Sequence, residues 1–465
     1  MNTHDEARRN GHQQAHAAGM AQSPFAPAAT DLIRVGSRRW FLQTGLAGLG
    51  GLTLPGLLQQ RAMAEAAAAG KKSVILFWLS GGPSQLDMWD PKPFAPQEIR
   101  SPFGTIDTKV PGVQLTEHFP LQASIADKLS FIRSVDCRAS NHTPITMQAG
   151  NPLAQRTNDG KDGAGYPSMG SIAAKFRGAN DPDMPAFVGL ANSWAADVWG
   201  AGHMGTDFEP VKGLELAGKF TLPDGIKIDR LTDRNSLRRE FDRLRRDIDL
   251  QQTLQRQDGY TQQAYDMVLS GKVQQAFDVD QESAETRELY GRESIGQKAL
   301  LARRLVESGV TFVLVSGAWG YFDHHGDSVR WKGIEKGLKP LLPRVDRAVY
   351  AIVTDLEQRG LLDDTLVLML GEFGRSPRIN NDLGRDHWTP VMSMVAAGGG
   401  LRHGQAIGST DSTGGEIKSA PVRPQDLAAT VFKHLDIDPR SHWTSPQGRP
   451  TPIVTEGGRA IAELG

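Results

Sequence analysis

Short runs of consecutive apolar residues predict the strands of a buried sheet. Five such runs lie at 74–79, 131–135, 311–315, 365–370 and 393–397. Continuous apolar runs, rather than an alternation of apolar and polar residues, favour strands that are covered on both faces.

Between these runs, apolar residues recur at the spacing of a helix. The segments 295–308, 338–360 and 426–435 show this pattern, and the middle one carries an apolar face that ends at Gly360. Helices that alternate with buried strands predict a three-layer α/β/α sandwich around a mostly parallel central sheet.

Three segments predict long insertions into this sandwich. Two are rich in proline and glycine, at 91–112 and 151–167, and are expected to form loops over the functional face. The third, at 230–280, is highly charged and predicts a solvent-exposed helix.

The first 64 residues predict an export signal rather than part of the fold. A polar stretch without apolar periodicity at 1–35 is expected to be disordered. Arg38 and Arg39 then precede a glycine-rich apolar stretch at 44–58, and the small-x-small site Ala62-Met63-Ala64 follows. This order is typical of a twin-arginine signal peptide. We expect the twin-arginine translocase to deliver the mature domain, 65–465, to the periplasm or cell envelope, or to secrete it.

Composition narrows the functional classes further. The chain has 465 residues and a formal net charge of −1, which argues against a nucleic-acid partner. The one cysteine, Cys137, cannot form an internal disulfide, and its neighbours favour a buried thiol over a nucleophile. No apolar run is long enough to predict a membrane span in the mature chain.

Carboxylates and imidazoles follow four of the predicted strands. Asp87 comes after the first strand, His142 and Thr143 after the second, the run Asp323-His324-His325 after the third, and Glu372, Arg375 and His387 after the fourth. Ligands of α/β sheets bind at the carboxyl ends of the strands. These side chains therefore predict a site for one or two divalent metal ions, of Zn, Mn, Mg or Ca. For a single residue, a role as a helix cap, an ion pair or a packing histidine stays open.

Several motifs resemble the DUF1501 family of exported bacterial proteins. They are GGPSQLDMWDPK (81–92), LLARRLVESGVTFV (300–313), LEQRGLLDDTLV (356–367), GEFGRSPRIN (371–380), GRDHW (384–388) and AAGGGLRHGQAIGSTDSTG (396–414). The resemblance covers nearly all of the mature chain. It implies an alkaline phosphatase-like fold, shared with phosphatases, sulfatases and phosphomutases.

The resemblance also implies roles for individual residues. The positions that match metal ligands are Asp87, Asp323, His325 (with His324 as its rival), Glu372 and His387. Phe373 departs from the pattern, because a histidine usually follows the acidic residue there, and this departure would cost one of two metals a ligand. Thr143 matches the nucleophile, although a plain N-cap threonine is the alternative, and Arg375 or His142 would stabilise anionic oxygens.

These observations predict an exported metal-dependent hydrolase that acts on a phosphate or sulfate ester, with a small-molecule or glycan substrate. The formylglycine signature of conventional sulfatases is missing from the sequence. The alternative is a non-catalytic envelope binding or scaffold protein that retains the fold and part of the metal site.

Overall fold

The computed structural model describes residues 70–155, 163–191, 197–213, 267, 270–317 and 320–465. These residues belong to one compact unit, Ala66–Gly465. The predicted signal peptide at 1–64 and most of the charged stretch at 230–280 lie outside them.

An eight-stranded sheet forms the centre of the described structure. Its strands are β1 (Ser73–Trp78), β2 (Leu129–Val135), β3 (Phe187–Leu190), β4 (Val211–Lys212), β5 (Phe312–Ser316), β6 (Thr365–Leu370), β7 (Met392–Gly398) and β8 (Gln405–Ile407). Their order is β8-β2-β7-β6-β1-β5-β3-β4. Neighbouring strands are parallel, except that β7 runs antiparallel to both β2 and β6.

Both faces of the sheet are buried, as the continuous apolar runs predict. In β1 and the residue after it, Ile75, Phe77 and Leu79 pack into one hydrophobic core. The alternate residues Val74, Leu76 and Trp78 pack into a second core on the opposite face. Successive side chains of a strand point to opposite faces, so one apolar run supplies both cores.

Helices cover the two faces. Those with described bounds are α1 (Pro120–Ser124), α2 (Ile145–Ala149), α3 (Met169–Phe176), α4 (Lys272–Phe277), α5 (Ala284–Tyr290), α6 (Ser294–Glu307), α7 (Leu342–Gln358) and α8 (Pro424–His434). Leu300 of α6 and Ile352 of α7 belong to the first core, whereas Ile172 of α3 and Val431 of α8 belong to the second. The predicted three-layer α/β/α fold class is confirmed.

The predicted elements match the structure closely at their centres and less well at their ends. All five predicted strands are present, and the short strands β3, β4 and β8 were not predicted. The helix predicted at 338–360 begins at Leu342, because the preceding Ile334–Leu338 forms a separate π-helical turn. The helix predicted at 426–435 begins earlier, at Pro424, because proline suits the first helical turn.

Loops and small strand pairs make up much of the remaining described structure. Two-stranded pairs join Thr105–Asp107 to Gln114–Thr116, Gly374–Arg375 to His387–Trp388, Ser409–Thr410 to Ile417–Ser419, and His442–Thr444 to Pro450–Pro452. Cys137 is a buried free cysteine, and burial raises the pKa of its thiol well above the ordinary value. Among the described helices, none is long and apolar enough to cross a membrane.

Candidate metal centre

The four strand ends that carry polar residues lie at one edge of the sheet. Strands β6, β1 and β5 are parallel neighbours. Strand β2 points the same way as β6, because β7 between them is antiparallel to both. The residues that follow these strands therefore meet. The backbone N–H of Gly81, after β1, donates to Oε1 of Glu372, after β6, over 2.8 Å.

Asp323, in the loop after β5, lies at the centre of the candidate site. Its Oδ1 lies 2.9 Å from Nε2 of His387 and 3.1 Å from Nε2 of His325. Its Oδ2 lies 3.4 Å from Nε2 of His142. The two imidazoles of His325 and His387 are themselves 2.9 Å apart at their Nε2 atoms. Ligand atoms of His142, Asp323 and His387 all lie within 4.8 Å of one another.

Glu372 contacts the side of His142 that faces away from Asp323. Its Oε1 lies 2.9 Å from Nδ1 of His142, whose Nε2 faces Asp323. Its Oε2 is buried and has no hydrogen-bond partner among the described residues. Burial raises the pKa of Glu372. Burial lowers the pKa of His142, but the hydrogen bonds to Asp323 and Glu372 outweigh this effect and raise it to about 9. The imidazole is therefore held between two carboxylates.

His325, rather than its neighbour His324, joins the candidate site. His324 is 5% exposed, and its Nδ1 donates to the backbone oxygen of Trp331 over 2.9 Å. Burial lowers the pKa of His324 to about 4, which keeps the imidazole neutral. Burial also lowers the pKa of His387, against the opposing effect of Asp323.

Arg375 holds the loops of the site together and has little capacity left for a substrate. Its side chain is 1% exposed. Its Nη2 donates to Oδ1 of Asp323 over 2.5 Å. It also donates to the backbone oxygens of Gly81, Gly82, Phe322 and Arg385, and its Nη1 lies 3.4 Å from Nε2 of His325. These contacts engage the guanidinium within the protein, and the expected role of Arg375 toward anionic oxygens of a substrate stays a sequence-based prediction.

The carboxyl group of Asp323 is ionised in this environment. Burial favours its neutral form, but hydrogen bonds from His142, His325 and His387, together with the charge of Arg375, hold its pKa well below the usual range. A carboxylate surrounded by imidazoles is therefore the stable state of the site.

Asp87 lies in a buried ion pair instead of the candidate site. Its side chain is fully buried, and its Oδ2 and Oδ1 lie 2.8 and 3.1 Å from Nε and Nη2 of Arg385. The hydroxyl of Ser84 also donates to Oδ2 over 2.5 Å. Burial acts to raise the pKa of Asp87, but Arg385 and Ser84 outweigh it and the pKa is lowered. Both oxygens of Asp87 are thus engaged with Arg385 and Ser84, and the structure does not bring Asp87 into the group around Asp323; its metal-ligand role stays a sequence-based prediction.

Thr143 stays outside the group of contacting side chains. Its Oγ1 donates to Oδ1 of Asn141 over 2.6 Å, and α2 begins two residues later at Ile145.

Phe373 fills the position after Glu372, and its ring centroid lies 4.5 Å from that of His387 and 5.6 Å from that of His142. The expected histidine position is thus an apolar wall of the site.

Sequence reasoning missed two features of this site. It assigned His142 to anionic oxygens and not to the group around Asp323, although its place after β2 was a usable signal. It also gave no role to Arg385, which lies within the GRDHW motif two residues before His387 and is 1% exposed. Charged residues are seldom fully buried without a partner, but the sequence does not show which carboxylate that partner is.

Three bacterial enzymes are among the solved structures that match this chain. A sulfatase from Pseudoalteromonas sp. has 11% identity and a TM-score of 0.35, and the match covers 87% of this chain and 77% of that chain. The lipoteichoic acid synthase of Listeria monocytogenes has 11% identity and a TM-score of 0.33, and the match covers 84% of this chain and 76% of that chain. An alkaline phosphatase from the Antarctic bacterium TAB5 has 13% identity and a TM-score of 0.31, and the match covers 78% of this chain and 98% of that chain. Similarity this low carries no information on the substrate.

The sequence matches no curated protein, but it matches a family model. Residues 71–464 match the model of a family described as "Protein of unknown function (DUF1501)". This match spans nearly the whole described unit, including the residues of the candidate metal centre, so the chain belongs to the DUF1501 family.

Proposed function

We propose that this protein is a divalent-metal-dependent hydrolase of phosphate or sulfate esters. The observation that supports the proposal most strongly is the meeting of Asp323 with three imidazoles at 2.9 to 3.4 Å: His325 from its own loop, and His142 and His387 from two other loops. Carboxylate oxygens and neutral imidazoles are the preferred protein ligands of zinc and related metals.

The spacing of these groups fits a cation. In a tetrahedral zinc site with ligands at about 2.0–2.1 Å, neighbouring ligand atoms are about 3.3 Å apart. Nε2 of His387 lies 2.9 Å from Oδ1 of Asp323, and Nε2 of His142 lies 3.4 Å from Oδ2, so each imidazole approaches a different oxygen of the carboxylate at a separation close to this value. We propose His142, Asp323 and His387 as the ligands, with His325 adjacent. The ligand atoms of the three proposed residues lie within 4.8 Å of one another.

Glu372 would act behind the ligands rather than as one of them. Its Oε1 accepts from Nδ1 of His142 and from the backbone of Gly81, which fixes the imidazole with Nε2 directed at Asp323. A carboxylate in this position orients a ligand histidine and increases its basicity.

The remaining roles follow from what each group can reach. When bound, a divalent cation supplies Lewis acidity toward an ester oxygen and lowers the pKa of water. Arg375 holds Asp323 in place through its hydrogen bond to Oδ1. The ring of Phe373 packs against His387, with the two ring centroids 4.5 Å apart. Thr143 stays a sequence-based prediction for the nucleophile, because its hydroxyl is bonded to Asn141.

Metal content and hydrolysis, measured together, test the proposal. We expect the purified full chain to bind Zn²⁺ or Mn²⁺ and to hydrolyse members of a panel of aryl phosphate and sulfate esters. Asp323→Asn should weaken metal binding at least tenfold and abolish turnover, because it removes the central charge. Asp327→Asn is the matched control, since Asp327 pairs with Lys336 in the same loop. Equal metal content in the two variants would refute the site assignment.

A non-catalytic scaffold protein of the cell envelope is the second candidate. Phe373 favours it, because a buried phenyl ring occupies the position where a further ligand is expected. A chain that binds none of Zn²⁺, Mn²⁺, Mg²⁺ or Ca²⁺, and hydrolyses no ester of the panel, would establish this alternative.

Export is proposed from the sequence, because the signal lies outside the described residues. The support is the order of Arg38, Arg39, the apolar stretch and the Ala62-Met63-Ala64 site. The double substitution Arg38→Lys and Arg39→Lys should retain the precursor in the cytoplasm, as measured by cell fractionation. Unchanged export of this variant would refute the twin-arginine route.

A further inference from the structure

A cavity of about 420 Å³ lies between the segment that follows β1 and the loop that follows β8. Its lining includes Lys92, Phe94, Gln114, Arg133 and Ser412. This volume is typical of a site for a small molecule. None of these residues belongs to the candidate metal centre, so the cavity is a separate feature of the surface.

The lining combines an exposed ring with positive charge. Phe94 is 99% exposed, and Pro93 and Pro96 beside it also line the cavity. Arg133 and Lys92 share one buried carboxylate, that of Asp90, at 3.4 and 2.9 Å. The lining itself carries these two cations and no carboxylate, whereas Asp90 lies behind them and Asp107, outside the lining, accepts from Nε2 of Gln114 over 2.9 Å.

Arg133 is held rigidly and keeps donor capacity for a ligand. Its Nε donates to the backbone oxygen of Trp89 over 3.0 Å, and its Nη2 donates to that of Gln114 over 2.9 Å. Its Nη1 makes no hydrogen bond to any described residue. Because Nε and Nη2 are engaged, Nη1 is the atom that can donate a charge-assisted hydrogen bond to a carboxylate or sulfate.

Two connections join the cavity to the candidate metal centre. The segment that carries Lys92 and Phe94 continues to Ile99, whose backbone oxygen accepts from Nη2 of Arg385 over 2.9 Å. The loop that carries Ser412 continues to Gly415, whose backbone oxygen accepts from Nε1 of Trp388 over 2.8 Å. Arg385 and Trp388 lie on either side of His387 in the sequence. The cavity and the metal centre therefore share their supporting loops.

We propose that this cavity binds an anionic sugar unit of the substrate whose ester reaches the metal centre. The inference rests on the proposed function. A sugar ring offers an apolar face for Phe94, and its acidic group pairs with Arg133 and Lys92. Its hydroxyls bond to Ser412 and to Oε1 of Gln114, whose Nε2 donates to Asp107. An inorganic anion would leave Phe94 unused, and a neutral sugar would leave the charges unused.

Binding of three matched probes to the full chain tests the proposal. The probes are methyl glucuronide, methyl glucoside and acetate, which separate the sugar ring from the charge and carry no ester to hydrolyse. Titration followed by ligand-detected NMR should show methyl glucuronide binding at least tenfold more tightly than the other two. Phe94→Ala and Lys92→Gln should each weaken it about tenfold. Leu153→Ala, which removes another exposed apolar side chain, is the control and should change nothing.

The outcomes distinguish this inference from the proposed function. Equal affinity for acetate and methyl glucuronide, or an affinity that Phe94→Ala does not change, would overturn the sugar site. Selective binding of methyl glucuronide by a chain that hydrolyses no ester supports the cavity and refutes only the hydrolase. Ester hydrolysis without selective binding of methyl glucuronide refutes only the cavity.

Discussion

Two buried arginines, Arg375 and Arg385, hold the loops around the candidate metal centre. Arg375 joins the residues after β1 to Asp323. Arg385 pairs with Asp87, a residue 298 positions away in the chain. A buried charge is stable only with its partner, so these contacts fix loop positions that few apolar contacts would specify.

The Asp87–Arg385 pair yields a prediction about stability. Asp87→Asn leaves the guanidinium of Arg385 buried without its counter-charge, and should lower the free energy of unfolding by about 3–5 kcal/mol. Urea titration of the metal-free chain measures this effect. The double substitution with Arg385→Gln should cost less than the sum of the two single changes. If Asp87→Asn instead removed metal without loss of stability, Asp87 would be a ligand after all.

Glu372 yields a prediction about metal affinity. Glu372→Gln keeps an oxygen that can accept from Nδ1 of His142, but removes the charge that makes this imidazole a stronger ligand. Zinc affinity, measured by calorimetric titration, should fall about 10- to 100-fold. A loss as complete as that of Asp323→Asn would show that Glu372 binds the metal directly.

Among the elements, α8 is tied to β1 by a buried histidine. His434 is 4% exposed, and its Nε2 donates to the backbone oxygen of Ser73 over 2.9 Å. Burial lowers the pKa of His434. The neutral imidazole is therefore the form that the packed helix accommodates, whereas in the unfolded chain the group takes up a proton near pH 6.5.

This contact predicts a pH dependence of stability. With the folded-state pKa below the unfolded one, the contribution of His434 is present above about pH 6.5 and is lost as the pH falls, by at most about 1.4 kcal/mol per pH unit. Denaturant titrations between pH 7.5 and 5 should show a smaller decline for His434→Gln than for the unaltered chain. His442→Gln, at an exposed position, is the control. Parallel declines in all three proteins would contradict the prediction.

For the whole molecule, metal binding and folding should be coupled. The proposed ligands come from loops after β2, β5 and β6, so they are close together only in the folded chain. A metal at 100 times its dissociation constant should stabilise the fold by about 2.7 kcal/mol. Thermal unfolding should therefore shift upward with added Zn²⁺ or Mn²⁺. The shift should be absent in Asp323→Asn, and an equal shift in that variant would indicate binding elsewhere.

The sequence predicted the elements of the fold better than their ends. Apolar runs identified β1, β2, β5, β6 and β7 because these strands are buried on both faces. It missed β4, because a strand of two residues has no periodicity to detect. For the site, it identified residue types at the strand ends, and the structure brings His142, Asp323, His325, Glu372 and His387 together.

What the sequence by itself determined is local. The spacing of its apolar residues determines whether a segment forms a strand or a helix, and the order of these elements determines the α/β/α class. Both can be read from the sequence because they depend on residues that are neighbours in the chain. Only the tertiary structure decided which polar groups meet. Asp87 faces Arg385, and His325 rather than His324 faces Asp323. These choices depend on contacts between distant residues and on the direction of each side chain, which burial and charge pairing set only once the chain has folded.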